Sequence, residues 1–349
     1  MPGSILYRNS PTLFLINKKL NFFSRAIKAC LAVNEGVFSQ PMFRYTFIFL
    51  LLISATLKAQ ISETGIASLK NQEDSLAFYS HKIIFDSFAE NRFHYDSVFI
   101  RKLVQSLKMP YSFEYPFDSL TTVSRLYAPD STFRIFTWQV QRDESYYHQE
   151  GAIQINTKDG SLKLFPLFDA SDYTSTPTDS IRTNKNWIGA IYYNIVMREF
   201  KGKKYYTLFG YDDNDFSSTR KWLEVLTFNA NGEPVFGGNY FNYKNDELKP
   251  PQPVSRFLLE YEKDTRARLT YDPELDMIVF DHLISESNEP QKKFTLIPDG
   301  DYEGFKWQNG KWVHVEKIFE EQQLKDGQAP RPEPLYEKEG STTKPPTNN

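Results

Sequence analysis

The hydrophobic and polar positions of this chain obey two grammars, helical first and alternating afterwards. Between Ser68 and Met109 the residues Leu69, Leu76, Tyr79, Ile83 and Ile84 recur at helical spacings, and Glu73 and Asp74 read as the opposite side. That is the pattern of a helix with one buried face. Asp96-Ser97 then offers N-capping oxygens to a second helix, striped by Val98, Ile100, Leu103, Val104 and Leu107 and stopped by Pro110. The spacing predicts a short α-helical hairpin over residues 65–110, packed on one edge or end of the domain C-terminal to it.

From Ser131 onward the runs are short, alternating, and rich in aromatic and β-branched residues, as half-buried strands require. Candidate strands are Phe133–Val140, Gly151–Asn156, Leu162–Phe168, Gly189–Arg198, Tyr205–Gly210, Trp222–Phe228, Pro234–Phe241, Phe257–Glu262, Ala267–Tyr271, Met277–Asp281, Phe294–Ile297 and Lys311–Val315. Asp159-Gly160, Asn231-Gly232 and Asn309-Gly310 stand between pairs of these runs, and each dipeptide favours the positive φ angles of tight hairpins. No helix-length segment alternates with the strands, which argues against βαβ units. The predicted fold class is therefore mainly β: an antiparallel meander over residues 111–319, sandwich-like or partly propeller-like, preceded by the helical hairpin. A blade-length repeat is not present; Asp130–Trp138 and Asp301–Trp307 are loose echoes only. Residues 320–349 lose nearly all apolar positions and gain Pro330, Pro332, Pro334, Pro345 and Pro346, so a disordered Pro-rich tail is expected.

Near the other end, Arg44 precedes an uncharged apolar run of eleven residues, Phe47 to Leu57, and Lys58-Ala59-Gln60 comes next. A bilayer span needs about 20 apolar residues. Order and length instead read as a cleavable secretory signal peptide at residues 42–59, with the mature chain beginning at Gln60. Residues 1–41 are then expected to be a non-native upstream extension, with translation starting at Met42. The expected location is exported, periplasmic or extracellular, with no stable membrane span after cleavage.

Export changes the composition that matters. The whole chain carries a net charge of -3, and residues 60–349 carry -9. Sequence-independent nucleic-acid binding rests on cationic patches, so nucleic acid is not an expected partner. The single cysteine, Cys30, lies upstream of the cleavage site, which removes disulfide and thiolate chemistry from the mature chain.

Several segments form a recognisable series: Pro116-Phe117-Asp118-Ser119-Leu120, Phe133-Arg134-Ile135-Phe136-Thr137-Trp138, Leu208-Phe209-Gly210-Tyr211-Asp212, Glu224-Val225-Leu226, Pro234-Val235-Phe236-Gly237 and Met277-Ile278-Val279-Phe280-Asp281-His282-Leu283. Over Ser68 to Phe319 the chain resembles uncharacterised secreted proteins of Bacteroidota, a family of unknown function. The resemblance implies export and a host class, and carries over no activity and no functional residue.

Candidate chemistry is sparse. Counting from Asp213, oxygen-bearing residues stand at calcium-loop positions: Asp215 third, Ser217 fifth, Thr219 seventh and Glu224 twelfth. Asp213, Asp215 and Glu224 are thus candidate calcium ligands, and calcium is the one cofactor to consider. Against this, Ser218 replaces the turn-making glycine, and Arg220 and Lys221 add positive charge, so a plain acidic turn explains the same residues. Trp307 and Trp312 flank the Asn309-Gly310 turn and are candidates for ligand stacking, or for cross-strand packing. Asp281-His282 is the only adjacent acid and histidine of the β region, but neighbours on a strand face opposite ways, which fits an orienting or capping role. His81 and His94 lack metal-ligand spacing, and His148 and His314 stand alone. No nucleophile elbow is present. The expected function is a non-catalytic binding or assembly module of the cell envelope with an unknown envelope or extracellular ligand. The alternative is a hydrolase of envelope or extracellular glycans or peptides, whose carboxylates meet only in the fold.

Overall fold

A computed structural model of the chain describes residues 61–318. The expected signal peptide, upstream extension and tail lie outside the described residues. Helix α1 (Glu63–Phe85) opens on Ser62, whose Oγ accepts a hydrogen bond from the Gly65 amide at 3.0 Å. It ends at Asp86, whose Oδ1 accepts from the Phe88 amide and from Asn91, turning the chain into α2 (Ala89–Leu107).

The hairpin is as expected, but α2 begins seven residues before the expected Asp96 cap. Asp96 lies inside the helix, buried, and accepts from Trp138 Nε1 instead of capping. Glu73 also departs from its expected exposed side. It lies one helical turn beyond Leu69, is buried with it, and receives Tyr115 Oη at 2.5 Å and the Ser119 amide at 2.6 Å.

Three largely antiparallel sheets make up the rest of the described chain. The first runs β1 (Ser124–Tyr127), β2 (Phe133–Asp143), β3 (Tyr146–Ile155) and β4 (Lys163–Phe168) as a meander. The central sheet holds β5 (Arg182–Thr183), β6 (Ile191–Phe200), β7 (Lys203–Asp212), β8 (Ser218–Phe228) and β9 (Pro234–Phe236), in the order β5-β9-β8-β7-β6. The third has β10 (Phe241–Asn242), β12 (Leu269–Asp272), β13 (Met277–Ser285), β14 (Leu296–Gln308) and β15 (Lys311–Val315), in the order β10-β15-β14-β13-β12. Strand β11 (Arg256–Glu262) returns to the central sheet, pairing with the first half of β8 while β9 pairs with its end.

Strand alternation stacks these elements into layers. On β2, Phe136, Trp138 and Val140 meet Leu76, Ile83, Phe99 and Leu103 of the hairpin, while Phe133 and Ile135 point the other way onto Tyr206, Leu208 and Leu226. On β8, Trp222 and Leu226 face the first sheet, and Leu223 and Val225 face Phe280, Phe305 and Trp312 of the third. The central sheet is thus buried on both sides, which explains the continuous apolar runs in β7 and β8. Each fully buried Leu or Phe in these layers contributes about 2 kcal/mol by removal from water.

The three Asx-Gly dipeptides all close hairpins, and Asn309 and Gly310 both adopt positive φ. Strands β1 and β5 were not expected, and two expected strands take a different course. Pro234–Phe241 is split by Gly237 and Gly238 (φ 84° and 137°), which carry the chain from the central sheet to the third. Strand β14 extends far beyond Ile297 because Asp299-Gly300-Asp301, a turn-like run, bulges out of the strand instead of ending it: Asp281 pairs with Tyr302 and Leu283 with Pro298.

A Cβ at Gly237 would stand 2.8 Å from the Ser255 carbonyl oxygen, whereas one at Gly202, also at positive φ, would meet nothing within 4 Å. Gly202→Ala is expected to cost about 1 kcal/mol from backbone strain alone. Gly237→Ala adds the clash and is expected to cost at least about 2 kcal/mol more. Urea unfolding midpoints of the two variants check this difference.

Candidate functional site

A cleft of about 520 Å³ opens over one end of the paired strands β8 and β11, on the face opposite to the one that packs on the third sheet. Its floor is the face of β8 and β11 that carries Arg220, Leu258 and Glu260; its walls are residues 175–178, residues 246–251 and the segment with Gln291 and Lys293. These segments are far apart in sequence, so the fold has to hold each wall separately.

The first wall is held by a buried ion pair. Arg256 and Glu224 are cross-strand partners on β11 and β8, essentially without solvent exposure, and Arg256 Nε donates to Glu224 Oε2 at 3.1 Å. The Tyr192 hydroxyl donates to the other carboxylate oxygen and receives Trp187 Nε1 at 2.6 Å. Burial, then the neighbouring Glu224 charge, push the Tyr192 phenol well above its ordinary range. Arg256 Nη1 donates to the carbonyls of Pro177 and Ser180, and the Ser255 amide donates to Thr178 O at 2.7 Å. The 175–180 loop is thereby tied to β11.

The second wall is tied to the third sheet through Glu303. Lys249 Nζ donates to Asp246 Oδ2 at 2.7 Å and lies 3.0 Å from Glu303 Oε2, which His314 Nε2 also contacts. Burial raises the Glu303 carboxyl, but the His314 hydrogen bond and the Lys249 charge outweigh it and hold the group below its ordinary range. His282 Nε2 lies 3.7 Å from Glu303 Oε1, and its Nδ1 lies 2.8 Å from Asp299 Oδ2, a contact made by the β14 bulge. Asp281 points elsewhere and accepts from the Arg268 amide, as strand alternation predicts for the Asp281-His282 pair.

A second acidic group lies along β2, β3 and the ends of β4 and β7, and one member, Asp212, is the cross-strand partner of the cleft residue Arg220. Burial, partly opposed by the Trp138 hydrogen bond, pushes the Asp96 carboxyl up to about 7. Burial likewise pushes Asp212 up to about 6, although the Asn214 amide bonds to it; Gln149 Nε2 also donates to its carboxylate at 2.8 Å. His148 stands between Glu150 at 3.4 Å and Asp169 at 3.8 Å; the Glu150 hydrogen bond raises its affinity for a proton against the effect of burial.

The calcium expectation meets a different geometry. Asp213 accepts from Gln139, Tyr211 and Lys263, and Asp215 accepts from the amides of Ser217 and Ser218 as a turn residue. Glu224 does not join them: it lies six strand residues beyond Ser218, about 20 Å along β8, in the pair with Arg256. Among the described residues no group of three ligating side chains is placed to hold a metal ion. The stacking expectation also changes. Trp312 is fully buried, donates Nε1 to Thr207 Oγ1 at 2.8 Å, and packs edge-on against its cross-strand partner Trp307 at 5.2 Å, with Tyr205 beyond. Packing beside the turn takes both indoles.

Nothing in the local pattern of the sequence marks the cleft residues. The one readable signal is the pair of charges at facing positions of β8 and β11, Glu224 with Arg256 and Arg220 with Glu260, visible once the register is known. Comparison of the chain with family models, with curated proteins and with solved structures finds no match. No helix among the described residues is long and apolar enough to cross a membrane.

The raised Asp96 carboxyl sets a pH dependence. Folded Asp96 binds its proton more tightly than the unfolded chain does, so its stabilisation is full below the unfolded value of 3.8 and is lost as pH rises through about 7. Asp212 acts in the same direction over a narrower window. Asp96→Asn is expected to flatten this decline and to raise stability at pH 8 by on the order of 2 kcal/mol relative to the native chain. Urea unfolding at pH 5 and pH 8 reads the slope; an equal loss at both values would show that the ionised form is the stabilising one.

Proposed function

We propose that this chain is an exported, non-catalytic binding module of the cell envelope, with the cleft over β8 and β11 as its ligand site. One observation carries the reading: neither carboxyl with raised proton affinity lines the cleft, although Asp212 is the cross-strand partner of its Arg220. Glycan or peptide hydrolysis by paired carboxylates needs a protonated acid at the substrate. Asp96 and Asp212, the two carboxyls raised toward neutrality, do not line the cleft. The acids that do line it include Glu260, bound to Arg220 at 2.9 Å, and Asp246, bound to Lys249 and held below its ordinary range. Such pairs fix wall positions and offer charge and hydrogen bonds to a ligand without a proton to transfer.

Export from the 42–59 segment supports the envelope as the setting. Preset walls also suit binding, since loops already tied down lose little freedom when a ligand arrives.

Co-sedimentation of the purified chain with insoluble cell-envelope material tests the proposal, with released reducing sugar and free amine measured in the supernatant. Retention on the envelope without product is expected. Time-dependent product release that is abolished by Asp212→Asn or Glu260→Gln would establish the hydrolase instead.

A further inference from the structure

The cleft lining carries three cations and three acids, but not every cation is paired. Lys249 gives its donors to Asp246 and Glu303. Arg220 gives Nε and Nη2 to Glu260, while its Nη1 has no hydrogen-bond partner among the described residues. Lys293 is half-buried in the wall, and its ammonium donates only to the Glu247 backbone carbonyl; no carboxylate among the described residues lies within ion-pairing distance. Burial lowers the proton affinity of Lys293 and outweighs the opposing pull of the Asp246, Glu260 and Glu247 carboxylates, none of which is close enough to pair with it. Thr178 and Gln291 also line the cleft with side chains that make no hydrogen bond to the described residues. The remaining acid, Glu247, is exposed at the rim, where water and salt screen it.

We propose that the cleft is a carboxylate-binding site, in which Lys293 and the free edge of the Arg220 guanidinium receive one carboxylate of a small ligand. A carboxylate placed there would meet two cations in a partly desolvated setting, where charge-assisted hydrogen bonds are roughly twice as strong as neutral ones. Thr178 and Gln291 supply neutral donors beside it. Leu248, Leu258 and Pro250 give the ligand body an apolar surface. The volume suits a body of one or two sugar rings or residues, at the scale of ordinary small-ligand pockets. The shared chemistry, a carboxylate on a compact body, is found in uronic acids and in peptide C-termini. The inference rests on the binding-module reading and deepens it by naming the ligand group.

Calorimetric titration of the full chain with glucuronate and with N-acetyl-dialanine, each beside its methyl ester, tests the site and separates the two sources. At least one acid is expected to bind in the millimolar range or tighter, and its ester at least tenfold more weakly. Lys293→Gln is expected to weaken the acid at least tenfold, while Lys292→Gln, on the neighbouring lysine that pairs with Glu289, leaves it unchanged. Glu260→Gln releases Arg220 and is expected to tighten binding about threefold, a gain that a misfolded variant cannot produce. Equal binding of acid and ester, indifference to Lys293→Gln, or no heat from either acid at 20 mM would overturn the carboxylate site. If the chain still sediments with envelope material in that case, the binding-module reading stands and only the ligand group is wrong; loss of both removes the reading itself.

Discussion

A buried guanidinium needs anions and acceptors, and the partners that Arg256 gathers at Nε and Nη1, with Nη2 left unbonded, organise much of this molecule. Taking a charge out of water costs several kcal/mol even after relaxation, so the arrangement persists only if its partners are held in place. Here Glu224 across the strand pair, the Tyr192 hydroxyl beyond it, and the carbonyls of Pro177 and Ser180 are those partners. One side chain thereby couples β6, β8 and β11 to the loop that forms a cleft wall. Gly237 belongs to the same constraint, because a Cβ there would stand 3.2 Å from Arg256 Nη2 as well as against Ser255. The residue that lets the chain change sheets also makes room for the charge.

Much of the fold was legible because periodicity reports burial directly. The helical face of Leu69, Leu76 and Ile83, the alternation in β2 and the three Asx-Gly turns each arise from local rules, and the structure realises them. What failed locally did so for identifiable reasons. Asp96 has the chemistry of a cap, but its carboxyl found a tertiary partner in Trp138 and the helix started earlier. Glu73 was misplaced by type: an acid one turn from Leu69 shares its face, and Tyr115 with Ser119 makes that burial tolerable. Asp299-Gly300-Asp301 reads as a turn, and only long-range pairing of β13 with β14 turns it into a bulge.

The candidate site was far less legible. Its lining comes from five stretches between Ser175 and Lys293, and no spacing rule joins residues that meet only in the folded chain. Glu224 shows the hazard. Counted along the chain it falls at a ligand position of a calcium loop, yet strand geometry carries it far from Asp213 and register delivers it to Arg256. Trp312 is a similar case, since proximity to a turn suggests exposure while the β14–β15 pairing places it in the core between the sheets.

The sheet change at Gly237-Gly238 has a consequence for how the chain reaches its folded state. Strand β10 finds its partner not in the next strand but in β15, about seventy residues later, and in parallel orientation. Contacts of such separation carry a large loop-closure entropy and form late. Strand β10 therefore stays unpaired until β15 has been made, so that edge of the third sheet is the last part of the domain to close.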